Sequence, residues 1–228
     1  MTVTAAQLES QKLAAAIRAV ELVKPGMVVG LGTGTTARYF IDQLGAAFRE
    51  GLSIQAVATS VTTSVQARAN GIPVLDEPDS PIDLAIDGAD EIDADVNCIK
   101  GRGGALLREK IVARASRRFV IIADESKLVD RLGRGTVPIE VLPFLWHATS
   151  RSIESLGGRP QLRMGQRGPS MTDNGNLILD TKFAAIDSGL SSALHEIPGV
   201  LEHGLFLRIA TGAIIGGTAG VRILGVVE

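Results

Sequence analysis

Near-continuous apolar runs of strand length alternate with helical patterns through the first half of the chain, and this alternation narrows the fold more than any other feature. Residues 27–31, 54–58, 84–86 and 119–123 lack the strict in–out alternation of a sheet with one face in water. Helical spacing separates them. Leu8, Leu13, Ile17, Val20 and Val23 mark one face of a helix over 6–23, which Lys24-Pro25-Gly26 ends. A second helix opens at Ala37 with Tyr39, Phe40 and Leu44 on its apolar side, and others are expected at 62–69 and 105–116. A short run at 72–75 precedes a polar, proline-containing loop. Buried strands that alternate with helices imply an α/β protein with a doubly wound, mainly parallel sheet of Rossmann-like type.

The pattern changes after Gly133-Arg134-Gly135. Strand 137–141, helix 144–156, strands 160–164 and 176–181, helix 189–195 and strand 200–207 follow in turn. That order, β-α-β-β-α-β, is the ferredoxin-like split unit, with Thr172–Asn176 as the turn before its third strand. The apolar stretches 213–217 and 221–226 are too short for a domain and are expected to return to the first sheet. The expected organisation is a discontinuous Rossmann-like domain, 1–133 plus 208–228, with an α+β lobe, 134–207, inserted into it.

Composition excludes several classes. With 23 basic and 25 acidic residues in 228, the formal charge is −2, without a basic stripe for nucleic acid. Aromatic residues are 4% of the chain, too few for a base-stacking platform. A single cysteine, Cys98, excludes an internal disulfide and a cysteine-based zinc cluster, and it reads as a small buried thiol. The N-terminal stretch lacks the uninterrupted apolar core of a signal peptide. No segment reaches the roughly 18 apolar residues of a membrane span. A cytoplasmic protein without membrane partners is expected.

The chemistry concentrates between Ile82 and Lys110. An apolar strand breaks at Asp87-Gly88 and delivers Asp87, Asp90 and Glu91; Lys100 then stands beside Gly101, Gly103 and Gly104, and Glu109 lies near the start of the next helix. Carboxylates, a lysine and glycine-freed amides at one loop–helix junction suit proton transfer on a small anion. Each part has a plainer reading, since Asp-Gly is a common turn, acidic runs are usually solvated and glycine before a helix relieves sterics. The same carboxylates, with Asp93 and Asp95, also offer oxygen ligands to a hard cation. Upstream, Gly32–Thr36 joins a strand to a helix, the arrangement that cradles a phosphate. It lacks the lysine of a P-loop. Thr35 stands where a dinucleotide fingerprint has its third glycine, and the next strand ends in Thr59-Ser60 rather than an acid. A single phosphate therefore fits better than a pyrophosphate. His147, His195 and His203 all fall in the second lobe and read as structural or surface residues.

Four segments, GLGTGTTA (30–37), DGADE (87–91), KGRGGALLREK (100–110) and ADESK (123–127), together resemble the type A ribose-5-phosphate isomerase family in order and spacing. TDNGN (172–176), IPGV (197–200) and GLF (204–206) extend the likeness over nearly the whole chain. The resemblance implies interconversion of ribose 5-phosphate and ribulose 5-phosphate in the pentose phosphate pathway, with no cofactor and no metal, by a homodimer or tetramer. It makes Glu109 the base between C1 and C2, Asp87 and Lys100 the residues of ring opening and enediolate handling, and Asp90 a hydroxyl ligand. Thr33, Gly34, Thr35 and Thr36 match the phosphate-side loop, Lys127 a phosphate-binding lysine and Lys12 a further basic residue. Gly88, Ala89, Gly101, Arg102 and Gly103 are expected to line the site, with Arg102 standing where some members have glycine. Independently of the likeness, an aldose–ketose shift needs one base within reach of adjacent carbons and a cation or N–H donor at the developing oxyanion. Two rivals share the fold: a sugar-phosphate-sensing module, which needs the phosphate loop but not the Asp/Lys/Glu set, and an acyl-CoA transferase relative with a glutamate nucleophile and a far larger substrate.

Overall fold

The computed structural model describes residues 4–187 and 189–228. Its main sheet contains β1 (Val28–Leu31), β2 (Gln55–Ala58), β3 (Ile82–Asp87), β6 (Ser116–Asp124), β14 (Gly212–Gly217) and β15 (Gly220–Gly225), in the order β15-β14-β6-β3-β1-β2. All neighbours pair in parallel except the β14–β15 hairpin. Both sheet faces are covered, as the unbroken apolar runs require. On one face Val29, Leu31, Leu84, Ile86, Val120 and Ile122 meet α1 (Ala5–Val20), α2 (Thr35–Arg49) and Ala67 of α3 (Val61–Ala69). On the other, Val28, Ala85, Phe119, Ile121 and Ala123 pack with Val112 and Ala113 of α4 (Leu106–Ala115).

Between β6 and β14 lies a second sheet of β7 (Val137–Val141), β8 (Arg159–Leu162), β11 (Leu177–Lys182) and β12 (Val200–His203), ordered β12-β7-β11-β8 and antiparallel throughout. With α5 (Trp146–Ser155) and α6 (Leu190–His195) it completes the ferredoxin-like unit around Val137, Ile139, Val141, Ile153, Leu179 and Leu194. A small hairpin, β9 (Met164–Gly165) with β10 (Gly168–Pro169), extends from β8.

Three local expectations differ from the structure. The last lobe strand stops at His203; after Gly204, β13 (Leu205–Phe206) leaves the lobe sheet and pairs with β5 (Cys98–Ile99), which also pairs with β4 (Glu91–Ile92). The run at 72–75 makes only an isolated bridge, Val74 to Ala56. The buried face of α1 is set by small residues rather than by the expected apolar stripe: Gln11, Ala15, Ala16 and Ala19 are buried and Ile17 is 47% exposed, while Leu8 and Leu13 are half-buried and Val20 and Val23 join the core. The helix lies so close to β14 that a Cβ on Gly216 would come 1.9 Å from the Gln11 carbonyl oxygen, and only small side chains fit such an approach.

Candidate active site

The order of the main sheet reverses between β1 and β3, and in open α/β sheets such a switch opens a crevice at the carboxyl ends of the strands. The loops after β1 and β3 flank it. They are tied together by Gly32 N–H to the Ile86 carbonyl (2.9 Å) and Thr33 N–H to Asp87 Oδ1 (3.0 Å). Gly32 makes the approach possible, because a Cβ there would lie 2.1 Å from the Asp87 carboxyl.

A cavity of about 290 Å³ fills the crevice, lined by Thr33–Thr36, Gly88–Asp90, Lys100–Gly103, Glu109 and Lys127. At its floor Lys100, 2% exposed, lies between two buried carboxylates, 2.9 Å from Asp87 Oδ2 and 3.3 Å from Glu109 Oε2. Its ammonium also donates to the Gly88 carbonyl. Asp87 sits behind the lining, its Oδ1 accepting the Thr33 and Gly88 N–H groups. Glu109 Oε2 is buried, and the Lys100 ammonium is its one polar neighbour found among the described residues, so the carboxylate is held by that cation alone beside the cavity.

One lysine cannot neutralise two carboxylates. Burial first, then the charge of Asp87, push Glu109 up to about 8 despite the opposing pull of Lys100. Burial also raises Asp87. Burial lowers Lys100, but Asp87 and Glu109 outweigh it and hold the ammonium above its ordinary range. The three groups therefore titrate as one unit.

The α2 N-terminus opens on the same cavity. Its N-cap, Gly34, has φ +131° and no capping side chain, so the first-turn amides of Thr35 and Thr36 keep the positive end of the helix dipole free of a side-chain oxygen. Thr33 lines the cavity, but its hydroxyl is committed elsewhere, to Thr59 Oγ1 (2.8 Å), Ser60 Oγ (2.8 Å) and Thr63 Oγ1 (3.1 Å). The strand-end Thr59-Ser60 pair was the sequence sign of that network. Asp90 accepts the Arg102 N–H at 3.0 Å, with Arg102 Nε 3.8 Å away. The Gly104 N–H closes a turn onto the Gly101 carbonyl (3.1 Å) rather than facing a ligand. Lys12 is not part of the lining; its ammonium pairs with Glu9, which also accepts the Tyr39 hydroxyl.

The acidic run does not converge on one point. Asp87 faces Lys100, Glu91 accepts the N–H groups of Gly133, Arg134 and Gly135, and Asp93 accepts those of Asp95 and Asn97. Burial pushes the Cys98 thiol up to about 12, which leaves it no thiolate for nucleophilic work. Arg163 carried no local sequence signal, yet from β8's end it donates to the Gly101 and Arg102 carbonyls (3.0 Å each) and holds the glycine loop.

A switch-point crevice with a paired acid–base group beside an anion-receiving helix end is built to move protons on a small phosphorylated molecule, the work of an α/β isomerase. Comparison with known proteins narrows that class. Residues 55–220 match the family ribose 5-phosphate isomerase A (phosphoriboisomerase A). The chain is 50% identical over 223 residues to the ribose-5-phosphate isomerase A of Thermomicrobium roseum, covering 95% of this chain and 94% of that protein. It is 45% identical over 218 residues to that of Methanothermobacter thermautotrophicus, covering 93% and 96%. Among solved structures, a D-ribose-5-phosphate isomerase in complex with phospho-erythronic acid matches with a TM-score of 0.92 and 43% identity over 96% of this chain and 99% of the other. The ribose 5-phosphate isomerase A of Neisseria gonorrhoeae matches with a TM-score of 0.90 and 38% identity over 100% of both chains. The chain belongs to the ribose 5-phosphate isomerase A family, and it is an aldose–ketose isomerase of the pentose phosphate pathway.

Proposed function

We propose that Glu109 is the base of a single-site proton transfer that interconverts ribose 5-phosphate and ribulose 5-phosphate. In the aldose-to-ketose direction its carboxylate takes the proton from C2. The C2 electrons form the C1–C2 double bond, and the carbonyl electrons move to O1. Lys100 faces the charge that develops on the oxygens, where a preorganised buried cation acts most strongly. Glu109 then returns the proton to C1 while the O2 hydroxyl proton passes to O1, and the ketose results. Asp87 holds Lys100 and serves ring opening, and Asp90 takes a substrate hydroxyl. The α2 N-terminus with Thr35, Thr36 and Lys127 anchors the phosphate, so that binding energy sets the carbons against Glu109. The observation that carries this reading is the Glu109 carboxylate itself, buried at the cavity wall with Lys100 3.3 Å from its Oε2. The ligand of the matched complex supports it, since an aldonic acid phosphate presents a carboxylate where an enediolate has its two oxygens.

The reading extends to a reaction without cofactor or metal, because Lys100 supplies the cation, and to a cytoplasmic homodimer divided into domains 1–133 plus 208–228 and 134–207. Glu109→Gln tests it. The variant is expected to bind substrate while turnover falls about 10²–10⁴-fold, and in D₂O it should not exchange the C2 proton of ribose 5-phosphate. Exchange at the wild-type rate would move the base elsewhere, with Asp87 next in line. Exhaustive chelation is expected to leave activity unchanged; loss restored by Mg²⁺ or Mn²⁺ would reinstate a metal.

A further inference from the structure

Glu109 is followed by Lys110, a lysine only 7% exposed that the isomerisation does not use. Its ammonium crosses to the lobe and donates to Glu202 Oε1 and to the His203 carbonyl, both at 2.6 Å. Glu202 also lies 2.9 Å from His195 Nε2 and accepts the His203 N–H at 2.8 Å. His203 is fully buried, with Nδ1 accepting the Leu205 N–H (3.2 Å) and facing Lys110 at 3.4 Å, while Nε2 meets the Ser191 carbonyl at 3.1 Å. Burial and then the Lys110 charge hold that imidazole down at about 3, hence neutral. His195, Glu202 and His203 have the spacing of metal ligands, but the Lys110 ammonium stands among them.

The four residues His203–Phe206 touch both lysines. The Gly204 carbonyl accepts the Lys100 N–H at 2.9 Å, and a Cβ on Gly204 would come 2.1 Å from the Lys100 carbonyl oxygen. The buried Phe206 ring has Lys100 Nζ 5.5 Å and Lys110 Nζ 4.9 Å from its centroid. On the other side of the site, α4 has Ala105 as its N-cap and no side-chain cap, directly after a glycine loop. The first turn is held instead by packing, with Ala105 and Leu106 buried, and by the bonds that Lys110 makes to the lobe. It carries Glu109.

We propose that Lys110 is a positioning residue for proton transfer: held by Glu202 and the His203 carbonyl, it locks α4 onto the 203–206 segment and thereby fixes Glu109 relative to Lys100. The inference rests on Glu109 being the base. Misplacing a reacting group by about 1 Å can cost roughly 10²-fold in rate, whereas phosphate anchoring, on the α2 side of the cavity, does not involve this lock. Its loss should appear in kcat and not in KM.

The test uses Lys110→Met, which keeps the stem and removes the charge, and Lys110→Ala, which leaves a hole beside a solvent-facing cavity of about 550 Å³ lined also by Arg114, His195 and Glu202. Both variants are expected to lose about tenfold to a hundredfold in kcat, with KM within about twofold of wild type. Propylammonium should restore part of the Lys110→Ala turnover in a saturable way, and 1-propanol should not. Should either variant fold poorly, Glu202→Gln reads the same lock from the lobe and is expected to lower kcat alone. Wild-type kcat in Lys110→Met, or a loss that amine does not relieve and that follows only the folded fraction, overturns the proposal. If Glu109→Gln still exchanges the C2 proton normally, the base assignment fails first; if it is inactive while Lys110→Met is fully active, only the positioning role fails.

Discussion

The proposed roles of Asp87, Lys100 and Glu109 predict a particular pH behaviour. On the proposal that Glu109 is the base, it must be ionised to act, and because it is raised to about 8, kcat/KM should climb with pH well above the ordinary carboxylate range. The apparent value belongs to the coupled trio. Asp87→Asn removes a charge that raises Glu109, so the acid limb should move to lower pH; a limb that stays in place would separate the two groups. Stability carries the opposite sign. A carboxyl raised in the fold favours the folded state below its unfolded value of 4.5, and that contribution is lost as pH rises through about 8. Glu109→Gln, permanently neutral, should therefore melt a few degrees above wild type at alkaline pH, with the gap closing near pH 5; calorimetry across that range decides it. Lys127 lines the cavity and is free of an ion pair among those found in the described residues. Lys127→Ala should weaken ribose 5-phosphate binding by about tenfold to a hundredfold, the worth of a charge-assisted hydrogen bond. It should leave the affinity for unphosphorylated ribose unchanged.

Elements meet here through glycines, and each contact assigns its glycine either to the site or to the scaffold. Gly32→Ala would drive a methyl into the Asp87 carboxyl, so both stability and turnover should fall. Gly216→Ala would push α1 off β14 at the Gln11 carbonyl. It should cost roughly 1–3 kcal/mol, as overpacking does, while kcat per folded molecule stays at the wild-type level; denaturant titration alongside active-site counting separates the two variants. The same close approach explains why the periodicity of α1 marked only part of its buried face, with Val23 in the core and Ile17 outside it. Leu8, Leu13, Ile17 and Val20 have helical spacing, but distance selects the alanines, and no local pattern states how near a neighbouring strand will come. Likewise the 200–207 run reads as one strand, yet Gly204 lets the chain leave the lobe sheet and approach Lys100.

At the scale of the whole molecule, the lobe braces the site it does not line. Arg163 pairs with Asp180 through Nη2–Oδ1 (2.5 Å) and Nε–Oδ2 (2.8 Å) while holding the Gly101 and Arg102 carbonyls. Asp173 accepts the Val61 N–H at the start of α3 (2.8 Å), and Arg108 of α4 reaches Asn174 (2.7 Å). Arg163→Met should remove roughly 1.5–3 kcal/mol of bonding to charged groups and lower kcat/KM by loosening the glycine loop; thermal melts and steady-state kinetics report both. None of these long-range pairs is written locally. By itself the sequence determined the parallel doubly wound sheet, the split β-α-β-β-α-β order and the segments that carry Asp87, Lys100 and Glu109. Apolar periodicity, turn residues and strand ends are properties of neighbours along the chain. Only the tertiary structure decided that Asp87 stands behind Lys100, that the Thr33 hydroxyl turns away to Thr59 and Ser60, that Lys12 is spent on Glu9, and that Lys110 is anchored to the lobe. Those outcomes depend on how closely distant segments approach and on which charges are buried together, and neither distance nor burial is carried by spacing along the chain.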